Sequence, residues 1–204
     1  MLAYKESKAS AQARSDVNPE DDRLTVASQA KLLFLCGKMA AGKSTLSLKL
    51  AQQENAVLLV QDDLLGSLYP GEIVDILGFV KYSARLRTAL TPQIHALLLR
   101  GTSVVLDFPG NTKTQREWFR GVFERAKVDH ELHFVDVPNE LCKVQLKERS
   151  KALPAGSAWT TDAEFDAITA YFQMPTAAEG FNVIRHGRTE QSVPGEVPAS
   201  RGLP

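Results

Sequence analysis

Apolar residues along this chain occur in short runs that alternate with longer amphipathic segments. The runs predict five strands, at Leu32–Cys36, Val57–Val60, Thr102–Phe108, Glu131–Val137 and Phe181–Arg185. The segments between them predict helices over Lys43–Gln53, Glu72–Arg100 with an interruption near Pro92, Thr112–Lys127, Asn139–Lys151 and Asp162–Phe172. Alternating strands and helices predict an α/β fold of three layers, in which helices cover both faces of a five-stranded parallel sheet.

Length and composition predict one globular domain over residues 30–186, followed by a disordered tail over 187–204 and preceded by a mobile polar arm over 1–29. The 24 basic and 24 acidic side chains cancel, so nothing in the overall charge favours nucleic acid or a membrane as a partner. Two cysteines without metal-ligand spacing, and no secretory signal, predict a cytoplasmic protein. Composition does not indicate an oligomeric state.

A glycine-rich turn follows the first predicted strand and opens the first predicted helix. It matches the phosphate-binding (Walker A) pattern G-x-x-x-x-G-K-[ST] from Gly37 to Ser44. Glycines let successive backbone N–H groups turn toward phosphate oxygens, and the helix N-terminus adds partial positive charge. Lys43 is expected to reach the outer phosphates of a nucleoside triphosphate and the Ser44 hydroxyl to ligate Mg²⁺. The residues predicted to bind the nucleotide are Gly37, Lys38, Met39, Ala40, Ala41, Gly42, Lys43, Ser44 and Thr45.

Carboxylates follow two of the other predicted strands. Asp62 and Asp63 come after the second strand, and Asp107 ends the third. Ligands of an open parallel sheet bind beyond the carboxyl ends of its strands. We therefore predict that Asp107 holds Mg²⁺ and that Asp62 acts on an acceptor hydroxyl as general base. The simpler alternatives are that Asp107 caps the next turn, and that Asp62 or Asp63 caps a short helix beginning at Leu64.

The residues after Asp107 favour a kinase over other nucleotide-binding classes. Motor and transport ATPases place a glutamate there to activate water, but this chain has Phe108. Asp107 to Gly110 fits the D-x-x-G pattern of GTPases, yet their N-K-x-D element is absent, so we interpret that fit as coincidence. Small-molecule kinases cover the phosphates with a mobile lid that supplies an arginine to the transferring group. We predict that Arg149, on the basic helix 139–151, is this arginine and that Leu153–Ser157 is the lid. The alternative is that the basic residues of this helix only form a solvated face.

A second string, Arg185 to Glu190, looks like the R-H-G-x-T-E opening of histidine phosphatases. Only 17 residues follow Gly187, too few to assemble the rest of such a site. We therefore interpret His186 as the polar end of the fifth strand.

Together these motifs resemble the P-loop kinases related to polynucleotide kinase and zeta toxin, from about Lys31 to His186. The resemblance implies that Lys43 and Ser44 handle the ATP phosphates and Mg²⁺, that Asp62 acts on the acceptor and that Arg149 contacts the transferring phosphoryl group. Two positions depart from the polynucleotide kinases. Leu65 stands where they carry an arginine for the acceptor phosphate, and Gln145 stands where a second lid arginine is expected.

The sequence thus predicts an ATP-dependent kinase that moves the γ-phosphate to a hydroxyl of an unidentified small acceptor. Asp63, Tyr82, Arg85 and Arg116 are the candidate acceptor-binding residues. Three alternatives stay open: a nucleotide-dependent switch or ATPase, a zeta-toxin-like kinase of a sugar nucleotide, and a polynucleotide 5′-kinase.

Overall fold

The structure, a computed structural model, describes residues 30–151 and 161–187. Its strands are β1 (Lys31–Cys36), β2 (Val57–Val60), β3 (Val104–Asp107), β4 (Asp129–Asp136) and β5 (Val183–Gly187). Its α-helices are α1 (Lys43–Gln53), α2 (Gln61–Leu68), α3 (Ile76–Leu99), α4 (Lys113–Ala126), α5 (Asn139–Ser150) and α6 (Asp162–Thr169), with a 3₁₀ turn at Ala177–Glu179.

All five strands lie parallel in one sheet of order β2-β3-β1-β4-β5. Strand order reverses at β1, where Leu32 pairs with Val104 of β3 on one side and His130 of β4 on the other. The crevice outside such a reversal is where α/β sheets bind ligands. The loop after β1 opens at this point, which places Gly37–Ser44 at the expected edge.

Helices cover both faces of the sheet because β1 is apolar on both. Phe34 faces the layer of α3 and α4, where its ring stacks on Phe119 with centroids 4.4 Å apart. Leu33 and Leu35 face the opposite layer and pack with Leu50 of α1. Continuous burial of this kind is what parallel strands between two helical layers require. The predicted three-layer α/β fold with a five-stranded parallel sheet is confirmed.

The predicted interruption of the long helix at Pro92 is wrong. α3 runs without a break from Ile76, after Asp75 caps its N-terminus, to Leu99. Proline removes one backbone donor from a helix interior, which normally kinks or ends it. Here Leu86 and Ile94, on either side of Pro92, are both buried in the same core, so packing holds the two halves in line.

Element ends differ from prediction by up to three residues, apart from α3, which begins four residues later. β5 is displaced toward the C-terminus and ends at Gly187, so the first residue of the predicted tail belongs to the sheet. α2 begins at Gln61, before Leu64. The predicted arm, the Leu153–Ser157 lid and residues 188–204 lie outside the described residues. Within residues 30–151 and 161–187, no helix has the length and apolarity to cross a membrane.

Candidate phosphoryl-transfer site

The loop after β1 is held close to the sheet by its first glycine. A Cβ on Gly37 would lie 2.7 Å from the Val135 carbonyl oxygen, and the φ of Gly37 is +155°. Its backbone N–H donates a 2.9 Å hydrogen bond to Oδ1 of Asn111, which follows β3. Asn111 was not predicted as a site residue. Its contact crosses 74 positions of sequence, so no local pattern could indicate it.

The middle of the loop has the backbone of an anion cradle. Ala40 and Gly42 have φ values of 56° and 99°, and alternation into this left-handed region turns N–H groups to one side. The Lys38 ammonium donates to the Val137 carbonyl at 3.0 Å and so joins the loop to the connection after β4. Met39 and Ala41 pack into the apolar cluster beneath α5. Among the predicted loop residues, Ser44 and Thr45 are exposed at the start of α1.

Lys43 lies inside the curve of the loop. Its ammonium donates 2.8 Å hydrogen bonds to the carbonyl oxygens of Gly37 and Lys38. Burial lowers the pKa of Lys43, while the neighbouring charge of Asp107 acts in the opposite direction. The charges of Lys43 and Asp107 therefore act on each other at this edge of the sheet.

Asp107 is linked to the start of α1 through a serine that the sequence did not single out. The buried Ser47 hydroxyl lies 3.2 Å from Oδ2 of Asp107 and 2.9 Å from the Ser44 carbonyl oxygen. A carboxylate beside the hydroxyl-bearing end of a phosphate loop is a hard-oxygen donor set that suits Mg²⁺. Asp107 and Ser44 could thus hold the ion, and Ser47 would orient the carboxylate.

Asp62 lies in the first turn of α2, and the residue as a whole is exposed. No side chain caps α2, so the alternative in which Asp62 or Asp63 caps a helix beginning at Leu64 is wrong. Partial desolvation raises the pKa of Asp62, and the Asp107 and Asp63 charges add to the shift, whereas Lys43 and Arg149 oppose it. This set of perturbing charges indicates that the predicted catalytic residues share one region.

Gln61, the residue before Asp62, is another site-adjacent group that sequence reasoning missed. Its side chain is 1% exposed, and among the described residues its Nε2 has no hydrogen-bond acceptor. A buried amide nitrogen of this kind costs free energy unless it finds a partner. Gln61 is therefore a polar group at the carboxyl end of β2 whose amide nitrogen has no partner in the described part of the chain.

The predicted lid arginine is distinguished from its neighbours on α5 by its contacts. Lys143 and Lys147 form ion pairs with Asp166 and Asp162 of α6, at 2.8 Å and 3.7 Å. Arg149 is exposed and, within the described residues, forms no ion pair. The basic face of α5 is therefore largely a structural contact with α6, and Arg149 is its guanidinium without an ion pair in the described part of the chain.

Two of the candidate acceptor-binding residues form a separate cluster at the start of α3. The Tyr82 hydroxyl donates a 2.7 Å hydrogen bond to the Glu72 carboxylate. The centroids of the Tyr82 and Tyr69 rings are 4.2 Å apart. The Arg85 guanidinium lies 5.6 Å from the Tyr82 ring centroid. No described contact joins this cluster to Asp62 or Asp63, so their predicted common role stays a prediction.

Arg116 is not an acceptor-binding residue. Its side chain is 0% exposed, and its Nε and Nη2 donate to Glu179 at 2.6 Å and 2.9 Å. Its Nη1 donates to the carbonyl oxygens of Gly110 and Gln173, both at 2.9 Å. Every direction of the guanidinium fork thus meets the protein itself. Arg116 fixes the segment after β3, which also carries Asn111.

The structure also explains the two short motifs that the kinase interpretation set aside. A Cβ on Gly110 would lie 2.6 Å from the Leu35 carbonyl oxygen, so the glycine of D-x-x-G is needed for close packing of this loop on β1. His186 is half-buried in β5, with its Nε2 2.9 Å from Nδ1 of His133. Both residues therefore have structural roles.

The phosphate loop, the carboxylate that ends β3 and the strand order together define a P-loop nucleotide-binding protein. Residues 32–175 match the sequence profile of an AAA domain (AAA_33), and the chain belongs to this family. No curated protein matches the chain significantly.

Solved structures share the fold. A protein of Chloroflexus aurantiacus described as a candidate kinase has 17% sequence identity and a TM-score of 0.63, covering 81% of this chain and 92% of its own. A gluconokinase of Sinorhizobium meliloti has 11% identity and a TM-score of 0.53, with coverages of 78% and 83%. The Pnkp1/Rnl/Hen1 RNA repair complex contains a chain with 18% identity and a TM-score of 0.55, with coverages of 70% and 43%.

Proposed function

We propose that this protein is an ATP-dependent kinase that transfers the γ-phosphoryl group to a hydroxyl of a small molecule. The observation that carries the proposal is the position of the Lys43 ammonium inside the phosphate loop, with Asp107 joined to the loop end through the Ser47 hydroxyl. The Asp107 charge also raises the pKa of Asp62, the proposed base, and the Arg149 charge lowers it. A phosphoryl-transfer site needs a cation at the phosphates, a carboxylate for the metal and a base for the acceptor. Proteins of the same fold that are named as kinases add support for this class.

In the proposed reaction, the backbone N–H groups of the loop and Lys43 hold the phosphates of ATP. Mg²⁺, when bound at Asp107 and Ser44, would neutralise charge on those phosphates. The hydroxyl oxygen of the acceptor forms a bond to the γ-phosphorus, and Asp62 accepts the proton that this hydroxyl loses. The bond from that phosphorus to the bridging oxygen breaks and ADP leaves, while Arg149 stabilises charge on the transferring group.

The environment of Asp62 suits a general base. A carboxylate at its ordinary pKa of about 4 is a weak base at neutral pH, and a raised pKa brings it closer to the working range. Burial and the nearby Asp107 charge supply that shift. The residue as a whole is still open to solvent on one side, so an acceptor can approach it.

A small acceptor is favoured over a 5′-hydroxyl nucleic acid. Leu65, which occupies the position of the acceptor-phosphate arginine in polynucleotide kinases, is 3% exposed and belongs to the main core. An arginine there would leave its charge in an apolar environment. The neutral overall charge also provides no general attraction for a polyanion.

The test is ³¹P NMR of the protein with ATP, Mg²⁺ and pools of sugars, nucleosides, sugar nucleotides and 5′-hydroxyl oligonucleotides. A new phosphate-ester resonance is expected. Lys43→Met should reduce its rate by about 10²–10³-fold, as for loss of one preorganised charge contact. Lys49→Met is the matched control, since Lys49 is exposed on the same helix.

A second pair of variants separates nucleotide binding from chemistry. Asp62→Asn should retain ATP binding by calorimetry and lose transfer. Asp129→Asn is the control and should retain both, because Asp129 is exposed at the start of β4, at the opposite edge of the sheet from the phosphate loop. ADP and free phosphate alone would identify an ATPase or switch and contradict the proposal. A product formed only from sugar nucleotides or only from oligonucleotides would instead select one of those two alternatives.

A further inference from the structure

A groove of about 520 Å³ lies between α3 and α4, outside the site described above. Its polar and aromatic lining comprises Arg87, Thr88, Thr91, Thr114, Trp118 and Arg125. Among residues 30–151 and 161–187, none that lines the groove is acidic, although acidic and basic side chains are equal in number over the whole chain. The positive charge of this groove is therefore local.

The two guanidinium groups of the groove have no polar partner in the described part of the protein. Neither Arg87 nor Arg125 forms an ion pair or a side-chain hydrogen bond within residues 30–151 and 161–187. Arg87 is half-buried, 5.8 Å from the centroid of the Trp118 ring, and burial lowers its pKa. A partly desolvated cation without a carboxylate partner is stabilised when an anion binds beside it.

Of the three threonine hydroxyl groups that line the groove, two donate hydrogen bonds within the described residues and one does not. Thr88 and Thr91 donate to carbonyl oxygens of α3, and Thr91 also accepts from Nε1 of Trp118 at 3.1 Å. The Thr114 hydroxyl has no hydrogen bond among the described residues. The groove therefore offers donors from Arg87, Arg125 and Thr114, and the described part of its lining contains no titratable acid that would repel an anion.

Gly121 lies on the same face of α4 as Trp118 and Arg125 of the groove. It follows Trp118 by three residues and precedes Arg125 by four, which is the spacing of one helix face. A Cβ at Gly121 would meet nothing within 4 Å, so space alone does not require glycine. Glycine is also an unfavourable residue for a helix interior. A larger side chain there would lean toward the turn of Trp118 and cover the groove.

We propose that this groove is a second anion site, which binds a phosphate-bearing small molecule through Arg87, Arg125 and Thr114. It does not depend on the proposed kinase activity, because it shares no residue with the phosphate loop. Guanidinium groups match both carboxylate and phosphate oxygens with paired N–H donors. A phosphate monoester carries nearly two negative charges and three acceptor oxygens for the two guanidinium groups, which favours it over a halide or a single carboxylate.

Trp118 makes the test direct. The chain has two tryptophans, so in a Trp159→Phe background Trp118 is the sole indole and its emission reports on the groove. This protein is titrated with glycerol 3-phosphate, AMP and pyrophosphate, and with citrate as a carboxylate comparison. At least one phosphate probe should give a saturable change with a Kd of about 1 mM or lower.

Three variants in that background decide the origin of the signal. Arg87→Met, which keeps the stem on Trp118, should weaken binding about tenfold or more, the range for loss of one charge-assisted contact. Gly121→Leu should abolish binding while the melting temperature is kept or raised, and Gly121→Ala should retain both. Lys43→Ala should leave the titration unchanged.

Loss of the signal in Lys43→Ala would place the probe in the phosphate loop and overturn the proposal. So would saturation by citrate alone, binding that survives both Arg87→Met and Gly121→Leu, or no saturable change with any probe.

Discussion

The buried pair Arg116–Glu179 provides a sharp test of the correction to the site. In Glu179→Gln the Arg116 guanidinium keeps its bonds to two carbonyl oxygens but loses its only counter-charge in the described structure. The amide nitrogen of the new glutamine would also face a donor. Both partners are nearly inaccessible, with side chains 0% and 10% exposed, so water cannot compensate.

Removing one partner of a buried ion pair costs about 3–5 kcal/mol. Natural domains are stable by about 5–15 kcal/mol, so the loss would be a large part of the total. For a chain of this size it corresponds to a fall in melting temperature of about 6–20 °C. Urea unfolding followed by circular dichroism at neutral pH measures the change. Neutral pH is suitable because the hydrogen bond from Arg116 lowers the pKa of Glu179, which keeps it ionised.

Glu124→Gln is the matched control. Glu124 is exposed, and its carboxylate lies 3.5 Å from the guanidinium of Arg120, which is one helical turn after Arg116 on α4. Removing the Glu124 charge should therefore lower the free energy of unfolding by less than about 0.5 kcal/mol. If Glu179→Gln also changed the free energy of unfolding by less than about 1 kcal/mol, the structural role of Arg116 would be refuted. Acceptor binding would then again be a reasonable function for its charge.

Three further outcomes follow from the site and the sheet. Asn111→Ala should weaken ATP binding about tenfold in calorimetry, because it leaves the buried Gly37 N–H without its acceptor; unchanged affinity would contradict this. Gly37→Ala should cost about 1–3 kcal/mol in urea unfolding, whereas Gly66→Ala, with open space around its Cβ, should cost nothing. Stability should fall as the pH is lowered through about 6.5, because burial lowers the pKa of His133 and His186 and the unfolded chain therefore binds more protons. His186→Gln should reduce that slope in urea titrations at several pH values, and an equal slope would contradict the assignment.

The parts of the fold that could be predicted from the sequence are those that depend on residues close together in the chain. Alternating apolar runs and amphipathic helices were sufficient for the parallel sheet, and the glycine-lysine pattern after β1 located the phosphate loop. Pro92 was misinterpreted because its effect depends on distant packing of Leu86 and Ile94 against the core. The low helix propensity of proline is a local property of the chain, and the burial of Leu86 and Ile94 in the core outweighs it here.

The misassigned and missed site residues have the same physical origin. Arg116 looks like an anion-binding arginine until Glu179, 63 positions later, comes within 2.6 Å of it. Asn111 and Ser47 act through single contacts to the loop and to Asp107, and asparagine or serine at those positions has no distinctive spacing. Phosphate oxygens bind to the backbone N–H groups of one continuous loop, so a pattern of eight consecutive residues, Gly37 to Ser44, is enough to predict this part of the site. Acceptor recognition needs side chains that converge from separate helices, so it must be read from structure and then from bound molecules.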